Sequence, residues 1–201
     1  MRFTILVMTL ALLSGTAAAQ IGNPGFMRAD TRFDENGIPL PHQPNPDDRL
    51  FAILVGEGGK AEVALGELAA ERASSNAVAE FGRRMVEDHT AANEKLAGIA
   101  EDSGIPLPEE LNAEHQAMLE KLQELEGAEF DLAYMQGQLV DHQKTTNLLI
   151  WEIGFGQDGA LQRFAATTLP TVLDHLEQAR AIIGELTQNQ IAAAAPPPTE
   201  E

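Results

Sequence analysis

The run Val78-Ala79-Glu80-Phe81-Gly82-Arg83-Arg84-Met85-Val86-Glu87-Asp88-His89, continued to Leu96 and Ala100, decides how this chain folds. At about 100° per residue, Val78, Gly82, Met85, His89, Leu96 and Ala100 fall within about 40° of one line along a helix. Glu80, Arg83 and Glu87 point away from that line. Strand-like alternation is absent here and throughout the chain. One member of the stripe is not apolar, and it stands in the middle: His89.

Working outward, the same period recurs. A segment opening at Asn45-Pro46-Asp47-Asp48, a polar cap, a proline and two acids, predicts a helix to about Ser74. The His89 helix follows Ser75-Asn76 and ends near Asp102, before Ser103-Gly104 and Pro106. A shorter helix is expected after Pro108, with Glu109 and Glu110 in its first turn, ending at Gly127. A third long helix runs from Ala128 to about Gly154. After the turn Gly156-Gln157-Asp158-Gly159, a fourth covers roughly Ala160 to Gln188, with Pro170 expected to kink it or start a second segment. Two antiparallel hairpins, paired to bury both apolar faces, make an all-α four-helix bundle over residues 46–188.

Composition agrees. The 44% hydrophobic content excludes a wholly disordered chain, and only 5% aromatic residues fits a helical bundle better than a β-sandwich. The formal charge of −18 argues against nucleic acid or an anionic membrane surface as partner. A protein partner or a homo-oligomer stays open. The chain has no cysteine, which removes disulfides, thiolate metal sites and cysteine catalysis.

The ends read differently. Arg2, the apolar run Ile5–Leu13 and Ala17-Ala18-Ala19 before Gln20 form a secretory signal over residues 1–19, too short to span a membrane as a stable anchor. The mature chain is expected in a bacterial periplasm or beyond, with no integral membrane segment. Residues 20–45 lack periodicity and are rich in Gly, Pro, Asn and Asp, an extended arm in which His42 reads as solvated. Residues 189–201, rich in alanine and proline with an acidic terminus, read as a disordered tail.

The long helices share an unusual feature. The first carries Phe51, Val55, Gly58, Glu62, Leu65 and Ala69 on its stripe. The third carries Asp131, Met135, Gln138, His142, Thr146, Leu149 and Ile153. The fourth carries Leu161, Phe164, Thr168, Thr171, His175, Ala179, Ile182 and Leu186. Each seam thus holds one Glu or His near its middle. Glu62 and His89 are equidistant from the Ser75 turn, and His142 and His175 from the Asp158 turn, roughly 20 and 25 Å at about 1.5 Å per residue. Glu62, His89, His142 and His175 should therefore converge on one layer.

A buried carboxylate costs several kcal/mol unless paired or coordinated. Three imidazoles and a carboxylate make a competent ligand set for one transition-metal ion, Cu, Zn or Fe. The same residues also make a metal-free polar layer, with Glu62 accepting hydrogen bonds from two imidazoles. Both readings stand at this point. Met85 and Met135 share the seams; thioethers suit copper, although a seam methionine is ordinarily core filler. Each seam histidine follows an aspartate, Asp88, Asp141 or Asp174, which lies 100° off the seam and is either a solvated flank or an acceptor orienting a histidine across a helix interface. Asp131 is too far from His142 for the same set and is expected to cap or bridge at the bundle end. His115, flanked by Glu114 and Gln116, reads as surface.

The stretches Glu62–Ala69, Phe81–His89 and Glu129–Met135, the pair Asp141-His142, and Thr168-Leu169-Pro170 leading to Asp174-His175 resemble a bacterial domain-of-unknown-function family numbered 4142. The likeness covers roughly Pro46 to Leu186. It implies an exported, ferritin-like bundle, often given an outer-membrane label, without an established activity. The di-iron pattern of ferritin-like proteins needs Glu-x-x-His pairs, whereas Val86, Leu139 and Val172 stand three residues before these histidines. That argues against a ferroxidase. No substrate pocket is identifiable, so no catalytic residue is assigned and a binding role is favoured over an enzyme. The alternative is a non-catalytic envelope stress or interaction protein whose Glu/His layer is structural.

Overall fold

Asn45 and Pro46 start the first helix through ordinary end chemistry. The Asn45 side chain accepts from the amides of Asp47 and Asp48, and the Asp48 carboxylate accepts from the Asn45 amide at 2.7 Å. The computed structural model describes residues 40–194. Its helices are α1 (Pro46–Arg72), α2 (Asn76–Asp102), α3 (Ala113–Gln123), α4 (Gly127–Phe155) and α5 (Gly159–Ala194). Residues 1–39, where the secretory signal and most of the arm are expected, and residues 195–201 lie outside the described part.

The four long helices form a square. α1 lies against α2 and α4, and α5 lies against α4 and α2. Arg49, near the start of α1, donates to the Gly104 carbonyl just past the end of α2. Asp131, in the first turns of α4, meets the opposite end of the hairpin. Its carboxylate accepts from the amides of Ser74 and Ser75 and from the Ser74 hydroxyl. The connection from α2 to α4 therefore runs the whole length of the bundle, carrying α3 along the α1–α4 side. All adjacent long helices are antiparallel, and a single long crossover is the ferritin-like arrangement. Asp131 is the end cap expected of it.

Small residues set two close approaches. A Cβ on Gly66 would stand 2.8 Å from the Gly82 carbonyl oxygen, and one on Gly82 2.8 Å from that of Gly66, so the α1–α2 crossing needs both glycines. Gly137 leaves room for Met118 of the crossover helix.

The core has two apolar parts. Phe51, Val55, Leu96, Leu149, Leu161 and Phe164 form one near the start of α1. Leu65, Val78, Phe81, Met85, Tyr134, Met135 and Ala179 belong to the other, toward the α1–α2 turn. Met85 and Met135 are fully buried there as packing residues. The polar layer lies between the two parts.

Several boundaries differ from the sequence reading. The short helix begins at Ala113, where the Asn112 side chain caps the His115 amide, so Glu109 and Glu110 precede it. α5 continues past Gln188 to Ala194, because alanines are the best helix formers and the first stop is Pro196. Pro170 lies inside α5 without dividing it. At its far end α4 turns Glu152 inward, leaving Ile153 38% exposed. At the end of the arm, the Gly159 amide donates to the Leu40 carbonyl and the Gln43 amide to Asp158, while the His42 ring lies 3.1 Å from the Ser103 hydroxyl.

Candidate metal centre

Each long helix brings one polar side chain to the same buried level: Glu62 from α1, His89 from α2, His142 from α4 and His175 from α5. The three imidazoles form a triangle, with ring centres 5.5 Å (His89–His142), 5.6 Å (His89–His175) and 5.3 Å (His142–His175) apart. One nitrogen from each ring can be chosen so that all three lie within 4.8 Å of one another. A point central to such a triangle is about 3.2 Å from each ring centre. That equals a metal–nitrogen bond of about 2.0–2.1 Å plus about 1.1 Å from nitrogen to ring centre. Phe81 covers the layer on its α1–α2-turn side, with ring centres 6.4 Å from His142 and 6.3 Å from His175.

Outer contacts orient two of the rings. His142 Nδ1 is 3.0 Å from the Gln138 carbonyl oxygen, an acceptor, so that nitrogen carries the proton and donates. His175 Nε2 is 2.8 Å from Asp88 Oδ2 and likewise donates. The remaining nitrogens, His142 Nε2 and His175 Nδ1, are left as lone pairs and face each other at 3.2 Å. Two lone pairs at that distance repel unless a cation stands between them. Burial, reinforced by neighbouring imidazoles, pushes His89 down to about 3 and His142 down to about 4, and burial also lowers His175. A proton is therefore a poor occupant. His89 Nε2 is buried without a hydrogen-bond partner.

Glu62 sits behind His142, its Oε1 3.6 Å from His142 Nδ1, on the far side of that ring from His175. Its Oε2 has no partner. Burial pushes the carboxyl up to about 8, with the Gln138 amide holding it back and Asp141 raising it further. The geometry brings the three histidines together as mutually close donors and places Glu62, a carboxyl that burial keeps protonated up to about 8, behind His142.

The three aspartates that precede the histidines part company. Asp88 serves a ring on another helix: it crosses from α2 to bond His175, and Arg84 donates to the same oxygen, Oδ2, at 3.2 Å. Burial alone would raise the Asp88 carboxyl, but His175 and Arg84 outweigh it and keep it below the ordinary range. Asp174 receives the other arm of Arg84 at 2.6 Å. Asp141 bonds Lys144 and approaches His115 Nε2 at 4.0 Å. His115 is consequently not a surface residue; the crossover presses α3 onto α4 and buries it.

Sequence reasoning missed one chemically loaded residue. Glu152 is buried with neither carboxyl oxygen hydrogen-bonded, and burial, with Asp48 and Asp158 nearby, pushes it up to about 8. Its only signal was the three-residue spacing from Leu149.

Fold and layer together define a class: a four-helix bundle with one ferritin-like crossover and a buried three-histidine cluster at mid-height. Residues 38–182 match the family described as "Domain of unknown function (DUF4142)", and the chain belongs to that family. Among solved structures it is similar to a DUF305 fragment from Deinococcus radiodurans, at 13% identity and a TM-score of 0.64, covering 71% of this chain and 99% of that one. A DUF305 protein from Streptomyces coelicolor with a provisional secreted-protein label is similar at 13% identity and a TM-score of 0.61, covering 70% and 92%. At such identity these likenesses speak to the fold. A comparison with curated proteins finds no match. Among the described residues, no helix is long and apolar enough to cross a membrane.

Proposed function

We propose that this protein is an exported bundle that binds or buffers one transition-metal ion, with His89, His142 and His175 as ligands and Glu62 as the counter-charge behind His142. The sequence-based set of four ligands thus becomes three ligands and a compensating carboxylate. The observation that carries the reading is the pair of facing lone pairs on His142 and His175, fixed by Gln138 and Asp88. Asp88 bonded to the far nitrogen of a ligand histidine is the usual support for an imidazole on a metal. Three nitrogens favour Cu²⁺ over Zn²⁺, and either over Mg²⁺ or Ca²⁺. Export rests on the residue 1–19 signature and is supported by the secreted label of the Streptomyces relative. Mass spectrometry of the mature chain should find Gln20 first; retained Met1 would overturn it.

A second reading has its own observation. Glu62, His142, His175 and Asp88 form a chain with steps of 3.6, 3.2 and 2.8 Å. With Glu62 protonated, that chain serves a metal-free layer in a non-catalytic envelope scaffold. Thermal melting separates the two. A metal that binds only the folded state adds RT ln(1 + [L]/Kd), about 2.7 kcal/mol at 100 times Kd. We expect Cu²⁺ or Zn²⁺ to raise the Tm at pH 7.5 by several degrees, with a smaller gain at pH 5.5, where protons compete. His142→Ala should abolish the gain and His115→Gln retain it. Equal gains in all three proteins would point to the acidic surface instead.

A further inference from the structure

We propose that the cleft between α2 and α5 delivers a small inorganic anion to an open position on the ion held by the three histidines. The inference rests on the metal reading above and goes beyond it by naming what else the site takes. The cleft has a volume of about 140 Å³, and its lining includes Asp88, His89, Lys95, Thr168, Thr171 and His175. Two of the three imidazoles therefore line it, whereas His142, with Glu62 behind it, does not. The layer is closed by protein on the Glu62 side and approached by solvent-connected space on the α2–α5 side. A purely structural metal site is closed, while a site that exchanges ligands keeps one position open.

The lining selects the ligand. Lys95 is the one cation among the lining residues, and the threonine hydroxyls are hydrogen-bond donors. Asp88 repels an anion little, because its charge is already engaged by His175 and Arg84. Drug-sized organic ligands occupy pockets of roughly 300–1,000 Å³, so at about 140 Å³ this cleft suits a smaller guest. It has room for a small cluster of waters or an ion of three or four atoms.

Azide is the test ligand. Untagged wild-type protein is loaded with one equivalent of Cu²⁺ at pH 7.5, stoichiometry is checked by elemental analysis, and azide is titrated while the charge-transfer absorption and electron paramagnetic resonance spectrum are read. A saturable new band at one azide per copper is expected. Thr171→Trp, which fills the cleft, should weaken azide at least tenfold with copper stoichiometry unchanged. Lys95→Met, at an exposed position, should weaken it about threefold, and added salt should reproduce that loss in the wild type. A copper-loaded protein without an azide band, or with the same azide affinity in all variants, overturns the cleft proposal and leaves the metal reading standing. Failure to take up copper in the first step overturns both.

Discussion

Asp88→Asn separates three aspartates that look equivalent along the chain. The substitution keeps side-chain size but removes the negative charge that accepts from His175 Nε2 at 2.8 Å and from Arg84 at 3.2 Å. Loss of such a carboxylate partner typically weakens a metal site by 10–100-fold, about 1.4–2.7 kcal/mol. The Asp88 side chain is 32% exposed, so solvent already screens part of its charge and the lower half of that range is expected, roughly 10–30-fold. Asp141→Asn and Asp174→Asn are matched controls. The first removes a partner of Lys144 and a neighbour of His115, and the second loosens the far arm of Arg84 and the Gln178 side chain. Each should stay within about threefold of wild type, because Asp174 is half exposed and Asp141 bonds Lys144 rather than a histidine of the layer. Zn²⁺ affinity by competition with a chromophoric chelator at pH 7.5 reads all three. Equal losses in the three variants, or an unchanged Asp88→Asn, would refute the assignment of Asp88 to the His175 ring.

Protonation gives a second test. Glu62 and Glu152 are held near 8 against an ordinary 4.5, so each contributes stability below pH 4.5 that is lost as pH rises through 8, at about 1.4 kcal/mol per unit. His89 and His142, held near 3 and 4, contribute stability above pH 6.5 that is lost as pH falls through those values. The opposed slopes largely cancel between pH 5 and 6.5, and metal-free protein should lose stability to urea between pH 6.5 and 8. Glu62→Gln should remove about half of that loss and the Glu62→Gln, Glu152→Gln double variant most of it; a wild type that gains stability over this interval would contradict the assignment. Gly82→Ala puts a Cβ 2.8 Å from the Gly66 carbonyl and 2.9 Å from Ala69 Cβ, an overpacking of about 1–3 kcal/mol that outweighs a propensity gain of about 1 kcal/mol. Its Tm should fall, whereas Gly58→Ala, with open space around the new methyl, should raise stability by about 0.5–1 kcal/mol. Asp131→Ala removes the acceptor of three donors at the α1–α2 turn, and a loss of about 1–3 kcal/mol is expected by thermal melting.

Helix angle carries much of this structure. All six residues of the Val78–Ala100 stripe are buried, and one Glu or His near the middle of each seam, at matching distances from two turns, marks the layer. Angle on one helix is silent about its neighbours. Asp88 lies off its own seam yet reaches His175, because α2 and α5 are adjacent, and that adjacency depends on the direction of the crossover. The same crossover buries His115. Near the end of α4, residues three and four beyond Leu149 are both close to the stripe, and periodicity alone does not choose Glu152 over Ile153. Glu62 was placed at the right height, but which side of the His142 ring it occupies is a matter of rotamer and packing.

The most direct measurement is elemental analysis of the untagged protein purified from its own cells, repeated after incubation with one equivalent of Cu²⁺ and with His142→Ala treated identically. The account predicts about one tightly held transition-metal ion per wild-type chain, a Tm raised by that ion, and loss of both in His142→Ala. Wild-type protein that carries no metal, takes up none, and melts at the same temperature with and without copper would contradict it.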